Sequence, residues 1–313
     1  MKTTRHCSPM LPQIVPPVLI ALLALLPSAI TGSTAAADAR DKSAGATVTL
    51  IEAGVEPRRA LRLTAAPGTT QRVIFSQRMQ MEQTMNGRNM PSMPMPVTEF
   101  QFTAEVDQVD EEGTIHYTGT YEKVSVKEEP GVDPNMRRMM EQSMQSMVGV
   151  EVKVATTDRG IIRSFELGAV EVGDPTVQQI LQGLPGAFEQ NSMPLPEEPV
   201  GAGAKWKSES TIVFQGIKMD MVQIITLTDL TEASFHLSSE LTMHAKEQSL
   251  ENPDLPRGME MTLKSMEGSG GGKFAFRDAR PMPIGTMKSS TETEIEVQIP
   301  QADQPQRMIQ NSN

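Results

Sequence analysis

Four methionines lie close together in the stretch MNGRNMPSMPMP (residues 85–96), and their thioether sulfurs are soft metal ligands. They are Met85, Met90, Met93 and Met95. The interleaved prolines keep the stretch out of a helix or a central strand. Because soft sulfur ligands favour Cu(I), the spacing predicts a Cu(I)-binding loop as one alternative. The other interpretation is an apolar rim with Asn86 and Gly87 at a hairpin tip.

Methionine also recurs where regular secondary structure is expected. Met79 and Met81 alternate within VIFSQRMQMEQTM (residues 73–85), where the odd positions from Val73 to Met85 would share one strand face. Four more methionines fall on one face of an expected helix: Met136, Met140, Met144 and Met147. Methionine packs irregular cores and also adapts to varied apolar partners. We therefore predict that these six residues line a binding surface for a hydrophobic ligand.

Groups that could support catalysis are scattered. The three histidines after residue 37 read as surface residues, and no nucleophile, zinc-protease or phosphate-loop motif is present. A carboxylate-based hydrolase using Asp107, Asp110 and Glu122 is a further alternative, since paired carboxyl groups can cleave glycosidic bonds. The sequence predicts no catalytic residue, no enzyme activity and no cofactor.

Alternating polar and apolar residues predict the elements that must position these side chains. In TEASFHLSSELTMHAK, Phe235, Leu237, Leu241 and Met243 share one face, and His236 and Glu240 the other. Similar alternation recurs along the chain. The pattern predicts a mainly β protein with two similar antiparallel twisted sheets, or half-barrels, and two short helices.

Two helices and several turns interrupt the alternation. Asp133–Pro134 and Asp174–Pro175 each have the form of a helix N-cap followed by proline at the first helical position. Glycine and acidic residues predict hairpin turns at residues 109–117, 156–162 and 267–274. Residues 193–203 are rich in proline and glycine and are expected to form a linker.

The order of elements looks similar on the two sides of this linker, which predicts an internal duplication. The predicted division is a signal peptide (1–37), a flexible N-terminal segment (38–60), a first β-rich half (61–171), a helix with a proline-rich linker (172–198), a second β-rich half (199–300) and a disordered tail (301–313).

The segments APGTTQRVIF and VGAGAKW, together with the Met-alternating strand, resemble an uncharacterised family of secreted bacterial proteins, a domain of unknown function. This resemblance covers most of residues 60–300 and implies no catalytic residues. Long strands with helices on one face also resemble the half-barrels of periplasmic lipoprotein carriers, in architecture alone.

The N-terminus predicts export. Lys2 and Arg5 precede the short apolar run Val18 to Leu26, and small residues follow up to Ala37, as in a secretory signal peptide. The single cysteine, Cys7, would leave with it. No later apolar run is long enough to span a membrane. We therefore expect a periplasmic or secreted location.

The charge balance narrows the choice of partners. Without residues 1–37, which carry two cations and no acid, the net charge falls from −11 to −13. An acidic chain is a poor ligand for nucleic acid. The sequence thus predicts an exported, non-catalytic envelope protein that binds a hydrophobic small molecule, a lipid or an envelope protein through a methionine-lined sheet face.

Overall fold

The computed structural model describes residues 45–91, 95–168, 175–214, 216–250, 259–299 and 304–313. The predicted signal peptide and its cleavage site lie outside these residues. The described chain is mainly β, with two antiparallel sheets and two α-helices, which confirms the predicted fold class. The strands are β1 (Thr47–Glu52), β2 (Thr70–Gln77), β3 (Met81–Met85), β4 (Arg88–Asn89), β5 (Thr98–Val109), β6 (Ile115–Val126), β7 (Glu151–Thr156), β8 (Ile162–Leu167), β9 (Lys205–Phe214), β10 (Ile217–Leu230), β11 (Ser234–Ala245), β12 (Gln248–Leu250), β13 (Glu260–Arg277), β14 (Ile284–Gln298) and β15 (Gln306–Ser312). The helices are α1 (Pro134–Met144) and α2 (Pro175–Gln190).

The smaller sheet has five strands in the order β2-β5-β6-β7-β8. The larger has ten, in the order β1-β9-β10-β11-β13-β14-β15-β3-β4, with β12 paired beside β13. The predicted alternation holds in β11, where Phe235, Leu237, Leu241 and Met243 are buried and Glu240 is exposed. One face of each strand therefore supplies the core, as expected for half-buried antiparallel strands.

The sheets do not follow the predicted halves. Strands β1, β3 and β4 precede residue 172, yet they belong to the ten-stranded sheet with β9–β15. The chain changes sheets between β2 and β3, so Val73 and Phe75 lie in one sheet and Met81 and Met85 in the other. The prediction of one continuous strand face was wrong here. Alternation records which face is buried and says nothing about which strand is the neighbour.

Two segments predicted to lack structure contain strands. Residues 47–52 of the expected flexible N-terminal segment pair with β9 as β1. Residues 306–312 of the expected disordered tail form β15, which pairs with β14 on one side and β3 on the other. Both corrections have the same cause: backbone hydrogen bonds to strands far away in the sequence order these segments, and local composition does not reveal such partners. The internal duplication stays a prediction.

The glycine-rich stretch at residues 267–274 lies inside the long strand β13 and is not a hairpin turn. A Cβ atom at Gly270 or Gly272 would lie 2.6 or 2.5 Å from the carbonyl oxygen of Lys288 or Thr286 in β14. Glycine is therefore needed here because the neighbouring backbone approaches too closely for a side chain.

Helix α2 packs against both sheets. Leu181, Leu184 and Phe188 join the core of the five-stranded sheet. On the other sheet, a Cβ atom at Gly186 would lie 2.6 Å from the carbonyl oxygen of Val213 in β9. The missing side chain lets the helix approach this strand closely.

The segment after α2 is buried. Leu195 is enclosed in the core of the ten-stranded sheet, and the Trp206 indole Nε1 donates a hydrogen bond to the Pro194 carbonyl at 2.8 Å. Residues 193–199 form no regular element, as expected of a linker, but Pro194 and Pro196 are buried. The segment thereby holds α2 against the larger sheet.

Substituting Gly119 tests the packing of the smaller sheet. A Cβ atom there would lie 1.9 Å from Phe102 Cζ, so Gly119→Ala should displace the ring and cost about 1–3 kcal/mol of unfolding free energy. Gly45→Ala is the control, since its Cβ would meet only Ile161 Cγ2 at 3.6 Å, and it should change stability by less than about 0.5 kcal/mol. Urea unfolding measures the stability of both variants. Equal unfolding midpoints for the two variants would contradict the close packing of Phe102 against Gly119.

Strand β15 can be tested at Ile309, which pairs with Glu294 and Thr84. Proline at this position cannot donate to the ladder, so Ile309→Pro should destabilise the protein by about 2 kcal/mol. Ile309→Thr keeps the backbone donor and β-branching and serves as the matched control. A disordered tail would tolerate both substitutions equally in thermal unfolding.

Candidate functional site

Helix α1 begins where the sequence predicts. The Asp133 carboxylate accepts hydrogen bonds from the backbone N–H groups of Asn135 at 2.7 Å and Met136 at 3.4 Å, and Pro134 is the first helical residue. This N-cap satisfies donors that would otherwise lack partners. It fixes the start of the helix that carries three of the six predicted methionines.

The predicted methionine face of α1 turns towards the five-stranded sheet. Met147, in the 3-10 turn after the helix, is 1% exposed, and Met144 packs against the same core. Met136 and Met140 are half-buried, and no residue of α1 itself is buried. The helix is therefore anchored at its C-terminal end and remains accessible towards its N-terminal end.

Met139 lies off the predicted face and is 66% exposed. Its spacing gave no reason to include it with the other four. We call Met136, Met139 and Met140 together the α1 surface. It is an accessible patch of three thioether side chains, which is unusual because large apolar residues are normally buried.

Met79 and Met81 lie apart from the rest of the predicted set. Met79 is half-buried between β2 and β3, and Met81 begins β3 opposite Ser312 in the ten-stranded sheet. The Arg78 guanidinium binds the Glu129 carboxylate through two contacts of 2.6 Å, which brings this crossover beside the segment that precedes α1. Four of the six methionines thus lie in α1 and the turn after it, and the other two lie where the chain crosses to the ten-stranded sheet.

Two depressions on the described structure are shallow and open. One lies on the polar face of the five-stranded sheet near His116, Lys153 and Glu166. The other lies near His236 and Lys273 in the ten-stranded sheet. Neither is lined by a methionine, and small apolar ligands usually bind in enclosed pockets.

The methionines of residues 85–95 divide between two elements. Met85 ends β3, and the Met90 backbone N–H donates to the Gln83 carbonyl at 2.8 Å, beyond the Asn86–Gly87 turn. Both turn residues have positive φ, 48° and 77°, so the predicted hairpin tip is present. Met95 precedes β5 of the other sheet, and Met93 lies outside the described residues.

The three carboxylates of the hydrolase alternative are exposed and already have partners. Asp107 accepts from the Thr118 hydroxyl at 2.8 Å, and Glu122 accepts from the Gln101 amide at 2.6 Å. The backbone N–H of Thr114 lowers the pKa of Asp110, and the Gln101 hydrogen bond lowers that of Glu122. A general acid needs a raised pKa, so these two carboxyls are unsuited to that role.

Each histidine of the described residues faces one carboxylate. His244 Nδ1 is 2.6 Å from Glu267 Oε1, and His116 Nε2 is 3.5 Å from Asp110 Oδ2. No group of three His, Cys, Asp or Glu side chains within the described ranges is arranged to hold a metal ion. A harder metal such as Zn²⁺ therefore has no evident site in this part of the molecule.

Comparisons with known proteins assign no function. A family of unknown function, DUF6263, matches residues 182–277, which run from α2 through β9–β13. This agrees with the expected resemblance to an uncharacterised family. No curated protein and no solved structure matches the chain. Neither described helix is long and apolar enough to cross a membrane.

The only two tyrosines, Tyr117 and Tyr121, lie in the core beneath the helices. Burial raises the pKa of Tyr121 to about 12, and burial with the neighbouring Tyr121 raises that of Tyr117 further. The folded-state pKa of each tyrosine lies above the unfolded value of about 10. The two phenols therefore contribute fully to stability below about pH 10, and this contribution is lost as the pH rises through the folded-state pKa.

Absorbance titration should therefore show no tyrosinate step near pH 10 in the native protein. The same titration in denaturant should show both phenols ionising near pH 10, and native stability should fall above that pH. A native step near pH 10 with an unchanged circular dichroism spectrum would place the tyrosines in solvent.

Proposed function

We propose that the protein is an exported, non-catalytic envelope protein that binds an apolar surface of a partner protein through the α1 surface. One observation carries this proposal: no residue of α1 is buried, although the helix carries apolar methionine side chains. Three of these methionines form the α1 surface, and Met139 is 66% exposed. The N-terminal pattern of residues 1–37 supports export.

Methionine suits such a surface. Its unbranched thioether side chain changes rotamer at small cost and can fit partners of different shape. On the helix-covered face of the same five-stranded sheet, the edge strand β2 exposes Phe75 (40%), whose ring centroid is 5.9 Å from that of the core residue Phe102. Two exposed apolar elements on one sheet extend the area that a partner could bury.

A partner protein fits the geometry better than a small hydrophobic molecule. The two depressions are open and include no residue of α1, whereas Met139 and Phe75 are exposed apolar side chains outside them. A protein interface needs about 800 Å² on each side and no enclosed cavity. A lipid or other hydrophobic ligand remains the alternative occupant.

Site-specific photo-crosslinking in the producing cells tests this proposal. A benzophenone amino acid at position 139 should give one discrete protein adduct, and one at Glu166, exposed on the opposite face of the sheet, should give none. Met136→Ser with Met140→Ser should reduce the adduct, since loss of two anchoring side chains worth about 1.4 kcal/mol together weakens binding about tenfold.

Arg138→Ser combined with Gln142→Ser is the matched control, because two substitutions at exposed positions of α1 make a similar change in helix propensity. It should keep the adduct. Equal labelling at positions 139 and 166 would overturn the proposal, and an adduct with lipid alone would transfer it to the hydrophobic-ligand alternative.

A further inference from the structure

The chain carries its sulfur almost entirely as thioether groups. It has 23 methionines and one cysteine, and that cysteine, Cys7, lies in the predicted signal peptide. Removal of that segment leaves thioethers as the only sulfur groups of the protein. Thiolates are the stronger nucleophiles and normally react with peroxides first, so a chain without them leaves methionine as the side chain that a peroxide oxidises.

Exposure to solvent separates one methionine from the others. Among the residues that the structure describes, Met139 is the only methionine whose surface lies mostly in solvent. The core of the ten-stranded sheet is the other extreme, where Met243 is 1% exposed. A buried sulfur meets an oxidant only when the structure opens, so the free energy of opening slows its reaction. The fold therefore directs oxidation to α1.

The methionines of α1 differ in how easily an oxidant can reach them. Met139 belongs to none of the core clusters, so an oxygen atom added to its sulfur displaces no core side chain. Met136 and Met140 are half-buried, and we expect them to react next. Met144 packs against the core of the five-stranded sheet and Met147 is buried, so both should stay reduced while the helix remains anchored.

We propose that the α1 surface is a site of methionine oxidation by hydroperoxides and that this oxidation weakens binding of the partner, a second step that rests on the proposed function. The thioether sulfur attacks one peroxide oxygen, the O–O bond breaks and an S–O bond forms. The sulfur loses two electrons and becomes a sulfoxide. The proton on the transferred oxygen passes to the departing oxygen, which leaves as water when the oxidant is hydrogen peroxide.

The added oxygen changes what α1 presents to a partner. A sulfoxide is polar and accepts hydrogen bonds, so burying it against an apolar surface removes its water without supplying a donor. The Asp133 cap and the buried Met147 hold the two ends of the helical segment, and neither is part of the α1 surface. Oxidation can therefore make this surface polar while the helix stays in place.

Site-resolved oxidation of the purified protein tests the modification. After graded doses of hydrogen peroxide, peptide mass spectrometry should find Met139 oxidised at least about tenfold faster than Met243, because Met243 must wait for the structure to open. Met136 and Met140 should react at intermediate rates. In urea all four should react at similar rates, since folding then protects none of them. Equal rates for Met139 and Met243 in the folded protein would overturn the proposal.

Photo-crosslinking separates the effect of oxidation from the proposed function. A benzophenone amino acid at Gln142, which is exposed on α1 one turn after Met139, should give a protein adduct in untreated cells. Hydrogen peroxide should reduce this adduct about tenfold, as removal of anchoring side chains would. The control replaces Met136, Met139 and Met140 by leucine, which keeps apolar character and helix propensity but has no sulfur. Its adduct should survive peroxide.

The outcomes distinguish the two proposals. Absence of an adduct at position 142 in untreated cells would overturn the proposed function and the regulation that rests on it. An adduct that persists after peroxide has oxidised Met139 would overturn the regulation alone. Equal loss of the adduct in the wild type and in the leucine variant would place the oxidised group outside the α1 surface, which would also overturn the regulation.

Discussion

The structure depends on the position of α2 between its two sheets. Phe188 contacts Phe102 and Phe165 of the five-stranded sheet, with ring centroids 6.2 and 5.1 Å apart. Gly186, on the same helix, allows the backbone of β9 to approach. One helix therefore contributes to two cores, and neither core could keep its present packing if the helix moved away from the other.

The helix end extends this coupling into the larger sheet. The Gln190 side-chain amide donates a hydrogen bond to Met243 Sδ at 3.3 Å. The backbone carbonyl of Gln190 accepts one from the Gln223 side-chain amide, also at 3.3 Å. From there the chain enters the buried proline segment, where Pro194 receives the Trp206 indole hydrogen bond. The segment matched by the family of unknown function covers this connection and strands β9–β13.

Local sequence signals predicted local structure well. The Asp133 cap, the Asn86–Gly87 turn and the alternation of β11 each depend on residues within a few positions of one another. The assignment of strands to sheets failed because pairing partners lie far apart in the chain, as β3 and β15 do. The glycines of β13 were misread for the same reason: close approach of a neighbouring strand and a tight turn both require a residue without a side chain.

For the candidate sites too, local features were predictable from sequence and long-range features were not. The sequence drew attention to methionine and grouped Met136, Met140, Met144 and Met147 on one helical face. It did not separate the two that anchor α1 from the two that stay accessible, because that distinction depends on how the helix lies on the sheet.

The strand order also has a consequence for synthesis. The strands of the five-stranded sheet all lie within residues 70–167, so their backbone pairing can begin while later residues are still being translated, and the core is completed when α2 is added. Strand β3 must wait for β15, since the hydrogen bond between Asn86 and Arg307 spans 221 residues. Until then the β3–β4 hairpin has no neighbour, and its methionines and unpaired backbone are available to chaperones or to another chain.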